Sequence, residues 1–197
     1  IVIVFFTKQA QDVSGPLKPQ LQVVYTTPEG VKKTYNQTYS KDEFSASKDK
    51  CDVVMGLSRV SGDLVKYNLH IELAQIAADI EFVRVAPSYS TTEKRDDKPS
   101  YFGWFPAIPY GKVTAEIKYQ GGLIKEKGTG YHDHNWGIMN MKDICDYWYW
   151  GRGNAEGYYI VYSVMYLPKI LGGKQASIMY LANDREILVG DSDKLAL

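Results

Sequence analysis

Period-two alternation constrains this chain more than any other feature. Across residues 64–73, Lys66, Asn68, His70 and Glu72 alternate with Val65, Tyr67, Leu69, Ile71 and Leu73. An extended backbone sends the polar set to one face and the apolar set to the other, so the segment predicts a half-buried antiparallel strand. Further strand signals fall at 1–6, 21–27, 31–39, 51–57, 76–85, 111–119, 123–127, 157–167, 175–182 and 186–190, whereas sustained helical periodicity is scarce. Short strands recurring roughly every ten residues predict an all-β chain, barrel-like or sandwich-like.

Turn chemistry supports that reading. Pro28-Glu29-Gly30 and Gln120-Gly121-Gly122 each stand between two strand signals and predict hairpins. The polar stretches Lys41–Asp49 and Pro87–Ser100 predict exposed loops. Tyr101–Gly111 is different, with two prolines and five aromatics in eleven residues. Prolines cannot donate to a ladder, so this stretch reads as an irregular, apolar loop that lines, covers or plugs a cavity.

The 197 residues suffice for a substantial core, and the charges cancel, 23 basic against 23 acidic. With no basic stripe, nucleic-acid binding is not expected. Cys51 and Cys145 are too few for a disulfide framework and too far apart for a metal knuckle, and read as free thiols of a reducing compartment. The Asn36-Gln37-Thr38 triplet carries little weight without a secretory segment. Ile1–Phe6 is apolar, but with no basic region before it or small-residue site after it, it reads as a buried strand. A cytoplasmic protein with no membrane span is expected, and a chain opening inside an apolar run without Met reads as part of something longer. Its oligomeric state stays open.

Chemistry concentrates in one window. Two of three histidines and three of four tryptophans lie in Tyr131-His-Asp-His-Asn-Trp-Gly137 and Tyr147-Trp-Tyr-Trp-Gly-Arg152. Alternation sorts His132, His134 and Trp136 to one side, Tyr131, Asp133 and Asn135 to the other. An Asp133 carboxyl among aromatic walls has its ionised form disfavoured and can donate a proton, with His134 as partner or as donor itself. Rings of Trp136, Trp148, Tyr149 and Trp150 would stabilise a developing cation by about 0.5–2 kcal/mol per good contact. The same walls would hold a flexible substrate in a reactive conformer. His132 and His134 alone supply two metal ligands where at least three are needed, so no metal is expected. Nucleophile-elbow, cysteine-nucleophile and phosphate-loop patterns are absent.

The block Gly128-Thr-Gly-Tyr-His-Asp-His-Asn-Trp-Gly137, followed by Trp148-Tyr-Trp-Gly-Arg152, resembles the hydroxyneurosporene synthase family, also called carotenoid 1,2-hydratases. Among its lipocalin-like relatives are fungal Diels-Alderases and cyclases, to which Ser45–Val54 and Ile108–Val113 look closer. The resemblance implies an antiparallel lipocalin-like barrel or sandwich, two such domains in the full protein, and no cofactor. Residues 1–137 would form most of the first domain and 138–197 begin the second. The family's His-x-Trp pair corresponds to His134 and Trp136. Its Tyr-x-Asp pair has as nearest counterpart Tyr162-Ser163-Val164, which lacks the aspartate and argues against water addition. The expectation is a cofactor-independent cyclase or isomerase acting on a hydrophobic secondary-metabolite intermediate. Asp133, His134 and Trp136 would carry the catalysis, and Trp104, Tyr131, His132, Trp148, Trp150 and Tyr162 would bind the substrate. The rivals are a hydratase and a carrier of an apolar ligand that does no chemistry.

Overall fold

The computed structural model describes residues 1–8, 12–89 and 102–191. Most of the loop expected at Pro87–Ser100, together with Tyr101, therefore lies outside the described residues. The chain forms two compact units, one of Ile1–Val83 with Val113–Gly128, the other of Arg84–Lys112 with Thr129–Leu197. They interleave in sequence because two long strands contribute residues to both.

The strands run in chain order β1 (Val2–Phe6), β2 (Gln20–Thr26), β3 (Lys32–Thr38), β4 (Phe44–Ala46), β5 (Cys51–Met55), β6 (Ser58–Gly62), β7 (Lys66–Leu73) and β8 (Ile76–Arg84). There follow β9 (Phe102–Tyr119), β10 (Gly122–Gly137), a one-turn helix α1 (Met141–Ile144), β11 (Tyr147–Ala155), β12 (Tyr158–Tyr166), β13 (Gln175–Ala182) and β14 (Ile187–Asp191). They order as meanders, β1-β2-β3, β10-β9-β8-β7-β6-β5-β4 and β11-β12-β13-β14. No helix among the described residues is long and apolar enough to cross a membrane.

In the first unit, β7 alternates as its sequence demands. Leu69, Ile71 and Leu73 pair with Ile80, Ala78 and Ile76 of β8, while Asn68 and His70 pair with Glu81 and Asp79 on the other face. The apolar face packs onto β2, so Leu21, Val23 and Tyr25 share a core with Met55, Ile71, Ile76, Ile80, Ala115 and Ile117. This is a two-layered sheet sandwich.

The strand read at 51–57 is shorter than expected and turns back at Gly56-Leu57 into β6, which the sequence reading missed. Ser58-Arg-Val-Ser-Gly62 is polar, and its inward residues are small: Ser58 is fully buried. Its hydroxyl is satisfied by the β7 backbone, accepting from Glu72 N at 2.9 Å.

The larger correction concerns 102–111. These residues are not a loop but the first half of β9. Phe102 to Gly111 is buried or half-buried throughout, so both faces are covered, and a strand covered on both sides reads as a continuous apolar run without alternation. Its carbonyls serve the neighbouring 85–89 segment: Tyr89 N donates to Pro106 O, and Val85 N and Ala86 N both donate to Tyr110 O.

In the second unit, β11 and β12 meet in a two-residue turn, Glu156-Gly157, with φ of 50° and 81°. Two positive φ values define the hairpin turn whose twist matches the strands, and a Gly takes the second without steric cost. Trp104, Val161, Tyr180 and Ala182 form the core, with Tyr89, Phe102, Tyr131 and Ile178 packed against it.

Candidate active site

Trp104, the one buried tryptophan, organises the site from β9. Its indole Nε1–H is shared between Asp133 Oδ2 at 2.8 Å and the Tyr131 hydroxyl at 3.0 Å. The Tyr131 hydroxyl in turn donates to the same Asp133 oxygen at 2.9 Å. Tyr131 and Asp133 can both reach Trp104 because they are two residues apart on β10 and so share a face. One carboxylate oxygen thus receives two donors, and Oδ1 is left outside the triangle.

Two β11 residues complete this face. Trp150 meets the Tyr131 ring edge-on, with centroids 5.2 Å apart, and the guanidinium carbon of Arg152 stands 5.8 Å from the centre of the same ring. Trp148 lies on their side of β11 by alternation. Trp148 and Trp150 keep 55% and 41% of their surface exposed, which is costly for indoles unless something else covers them.

The other face of β10 is separate. Trp136 lies over Gly103, where an added Cβ would run into the indole, so this approach requires glycine. His134 stacks on Trp136 at 5.4 Å with planes 23° apart. Gly103 and Trp104 are neighbours on β9 and point to opposite sides, which matches the two faces of β10. Asp133 and His134 therefore do not share a wall, and the expected pairing of the two as acid and partner is not what the strand geometry provides.

Electrostatics sharpen the roles. Burial raises the Tyr131 phenol far above its ordinary range, and the adjacent Asp133 charge and hydrogen bond add to this, which favours the protonated phenol that donates to Asp133. Burial lowers His132 to about 4 against the opposing pull of Asp133, with His134 lowering it further. Burial also lowers His134, again opposed by Asp133. At both positions burial favours the neutral imidazole. No group of three or more His, Cys, Asp or Glu among the described residues is placed to hold a metal ion.

Of the remaining expected residues, Tyr162 pairs with Gly151 on β12 and covers it from the face opposite Trp150. Tyr149 is on that opposite face too, beside Tyr147 and Tyr166. Arg152 was missed as a site residue, although its position two residues past Trp150 was the signal for a shared face.

The first unit holds an open groove of about 350 Å³ lined by Arg59, Asn68, His70, Asp79 and Glu116 among others. Its charged groups have partners, Arg59 with Asp52, Glu81 with Lys66 and Glu116 with Lys125, and His70 is hydrogen-bonded to Asp79. This is the solvated face of a half-buried sheet.

The fold and this cluster define a class: a lipocalin-like β protein with a hydrogen-bonded carboxyl set among aromatic walls. Residues 53–180, well over half of the chain, match the carotenoid hydratase CrtC family, and the chain belongs to that family. It is 37% identical over 84 residues to the hydroxyneurosporene dehydrogenase of Chlorobaculum tepidum, covering 40% of this chain and 22% of that protein. It is 30% identical over 77 residues to the quinolone epoxide rearrangement protein penF of Penicillium thymicola, covering 39% and 20%. The crystal structure of CghA with Sch210972 superposes with a TM-score of 0.68 at 12% identity, over 98% of this chain and 56% of that one. A putative AttH from Nitrosomonas europaea gives 0.60 at 16%, over 83% and 53%. At these identities the structural likeness concerns the fold. The chain spans little more than half the length of these solved relatives, and its matched stretches about a fifth of the curated ones.

Proposed function

We propose that this protein is a cofactor-independent enzyme that binds a hydrophobic secondary-metabolite intermediate and promotes its cyclisation or rearrangement. The observation that carries the reading is the Trp104–Tyr131–Asp133 triangle set edge-on to Trp150. Polar groups converging inside an apolar wall orient a substrate, and the indole and phenol faces stabilise positive charge as it develops. Tyr131 and Trp104 fix the Asp133 carboxyl, leaving Oδ1 to orient the substrate or exchange a proton with it. Trp148 and Trp150 would supply the wall on which the apolar body folds. His134 and Trp136 form a second aromatic surface, and a neutral His134 there would act as a hydrogen-bond partner.

Family membership favours a second reading, hydration of an isoprenoid double bond, in which His134 and Trp136 are the residues used. Against it, Tyr162-Ser163-Val164 lacks the aspartate of the family's second pair.

Alanine at Asp133 and at His134, each assayed for turnover in folded full-length protein, separates the readings. A loss confined to Asp133 supports the acid-assisted cyclase, a loss confined to His134 supports the hydratase arrangement, and unchanged turnover in both leaves neither acid–base role standing.

A further inference from the structure

Arg152 is the feature of this face that an apolar pocket alone does not require. It lies two residues beyond Trp150 on β11 and so shares its face. Its register partner on β12, Val161, is fully buried against Trp104, which fixes the backbone, while the Arg152 side chain is exposed. Its guanidinium is held over the Tyr131 ring. Among the described residues Arg152 enters no ion pair, whereas Arg59 is bidentate on Asp52. Asp133, the acid of this face, has its Oδ2 engaged by Trp104 and Tyr131. A guanidinium over an aromatic ring keeps its in-plane N–H fork available, and that fork matches two oxygens of one delocalised anion.

We infer that Arg152 binds an ionised oxygen function of the substrate, a carboxylate or delocalised enolate, at the end of the aromatic wall formed by Trp150 and Tyr131. The inference rests on the reading of this face as a site for a hydrophobic small molecule and narrows it. The substrate is then an amphiphile, with an apolar body along Trp150 and Trp148 and an anionic head at Arg152, rather than a plain hydrocarbon. Arg152 thereby sets the register in which the body is presented to Asp133, which makes it a specificity-determining residue.

The test titrates the tryptophan fluorescence of the full-length protein with a polyene carboxylic acid and with the polyene alcohol of the same skeleton, in wild type, R152Q and R152K. In wild type the acid should bind about tenfold or more tighter than the alcohol, a preference that shrinks with added salt. R152Q should abolish the preference by weakening the acid selectively, with an unchanged circular dichroism spectrum certifying its fold, and R152K should restore part of it. Equal affinities in wild type, or an R152Q that weakens acid and alcohol alike, would overturn the role of Arg152 alone. Binding of neither ligand would overturn the hydrophobic-ligand reading itself, and this inference with it.

Discussion

Asp133 receives hydrogen bonds from an indole and a phenol on one oxygen, and on the proposed reading this single carboxyl group would carry the acid–base chemistry. Replacing it by Asn keeps the shape and an acceptor oxygen for Trp104 and Tyr131 while removing the ionisable carboxyl. Asp133→Asn should lower turnover by about 10²–10⁴-fold, the range for a lost acid–base group, with near-native thermal stability. Tyr131→Phe keeps the Trp104–Asp133 bond and should cost only about 1 kcal/mol, read as a shift in Tm. His132 yields a pH prediction. Its folded pKa of about 4 lies below the ordinary histidine value, so between about pH 6.5 and 4 the unfolded chain takes up a proton that the native state refuses. Stability is therefore complete above pH 6.5 and falls on acidification through that window, by about 1–3 kcal/mol from this residue. His132→Gln should flatten the slope of urea midpoint against pH between 6.5 and 4, and an unchanged slope would assign it to other groups.

At the scale of elements, burial rather than charge decides what each strand contributes. Ile71 and His70 are adjacent on β7, one fully buried, the other on the groove face. Ile71→Ala should cost about 2–5 kcal/mol by urea unfolding, whereas His70→Ala should stay within about 0.5 kcal/mol despite its bond to Asp79. That contrast also explains which elements were legible in the sequence. β7 and β8 bury one face, so their alternation announces them. The 102–111 part of β9 is covered on both faces, loses its alternation, and carries Pro106 and Pro109, so local rules call it a loop. Its place in the sheet beside β10, together with carbonyl acceptance by Pro106 and Tyr110, is a tertiary property that local rules do not reveal. β6 was hidden by small polar residues whose hydroxyl finds its partner on another strand. Within the site, alternation separated Tyr131 and Asp133 from His134 and Trp136. It could not reveal that Trp104, 27 residues before Tyr131, bonds both members of one set.

At the scale of the whole molecule, the chain pairs a sandwich-like unit having a conventional core with a unit whose edge strand displays aromatic side chains. Tyr147, Trp148, Tyr149 and Trp150 are all between 41% and 55% exposed, far from what folding alone would select. Trp148→Ala and Trp150→Ala should therefore weaken ligand binding by about tenfold or more each while shifting Tm by only a few degrees, as measured by ligand titration and calorimetry on the same samples. Membership of the carotenoid hydratase family sets the prior for hydration, while the missing aspartate after Tyr162 and the aromatic face favour rearrangement. Mass spectrometry separates them directly. The hydrophobic metabolites that accumulate in a host lacking the gene are incubated with full-length protein and with its Asp133→Asn variant. The account predicts conversion of one accumulated compound to a product of identical mass by the wild type and little or none by the variant. A product heavier by one water, or tight binding without conversion, would contradict it.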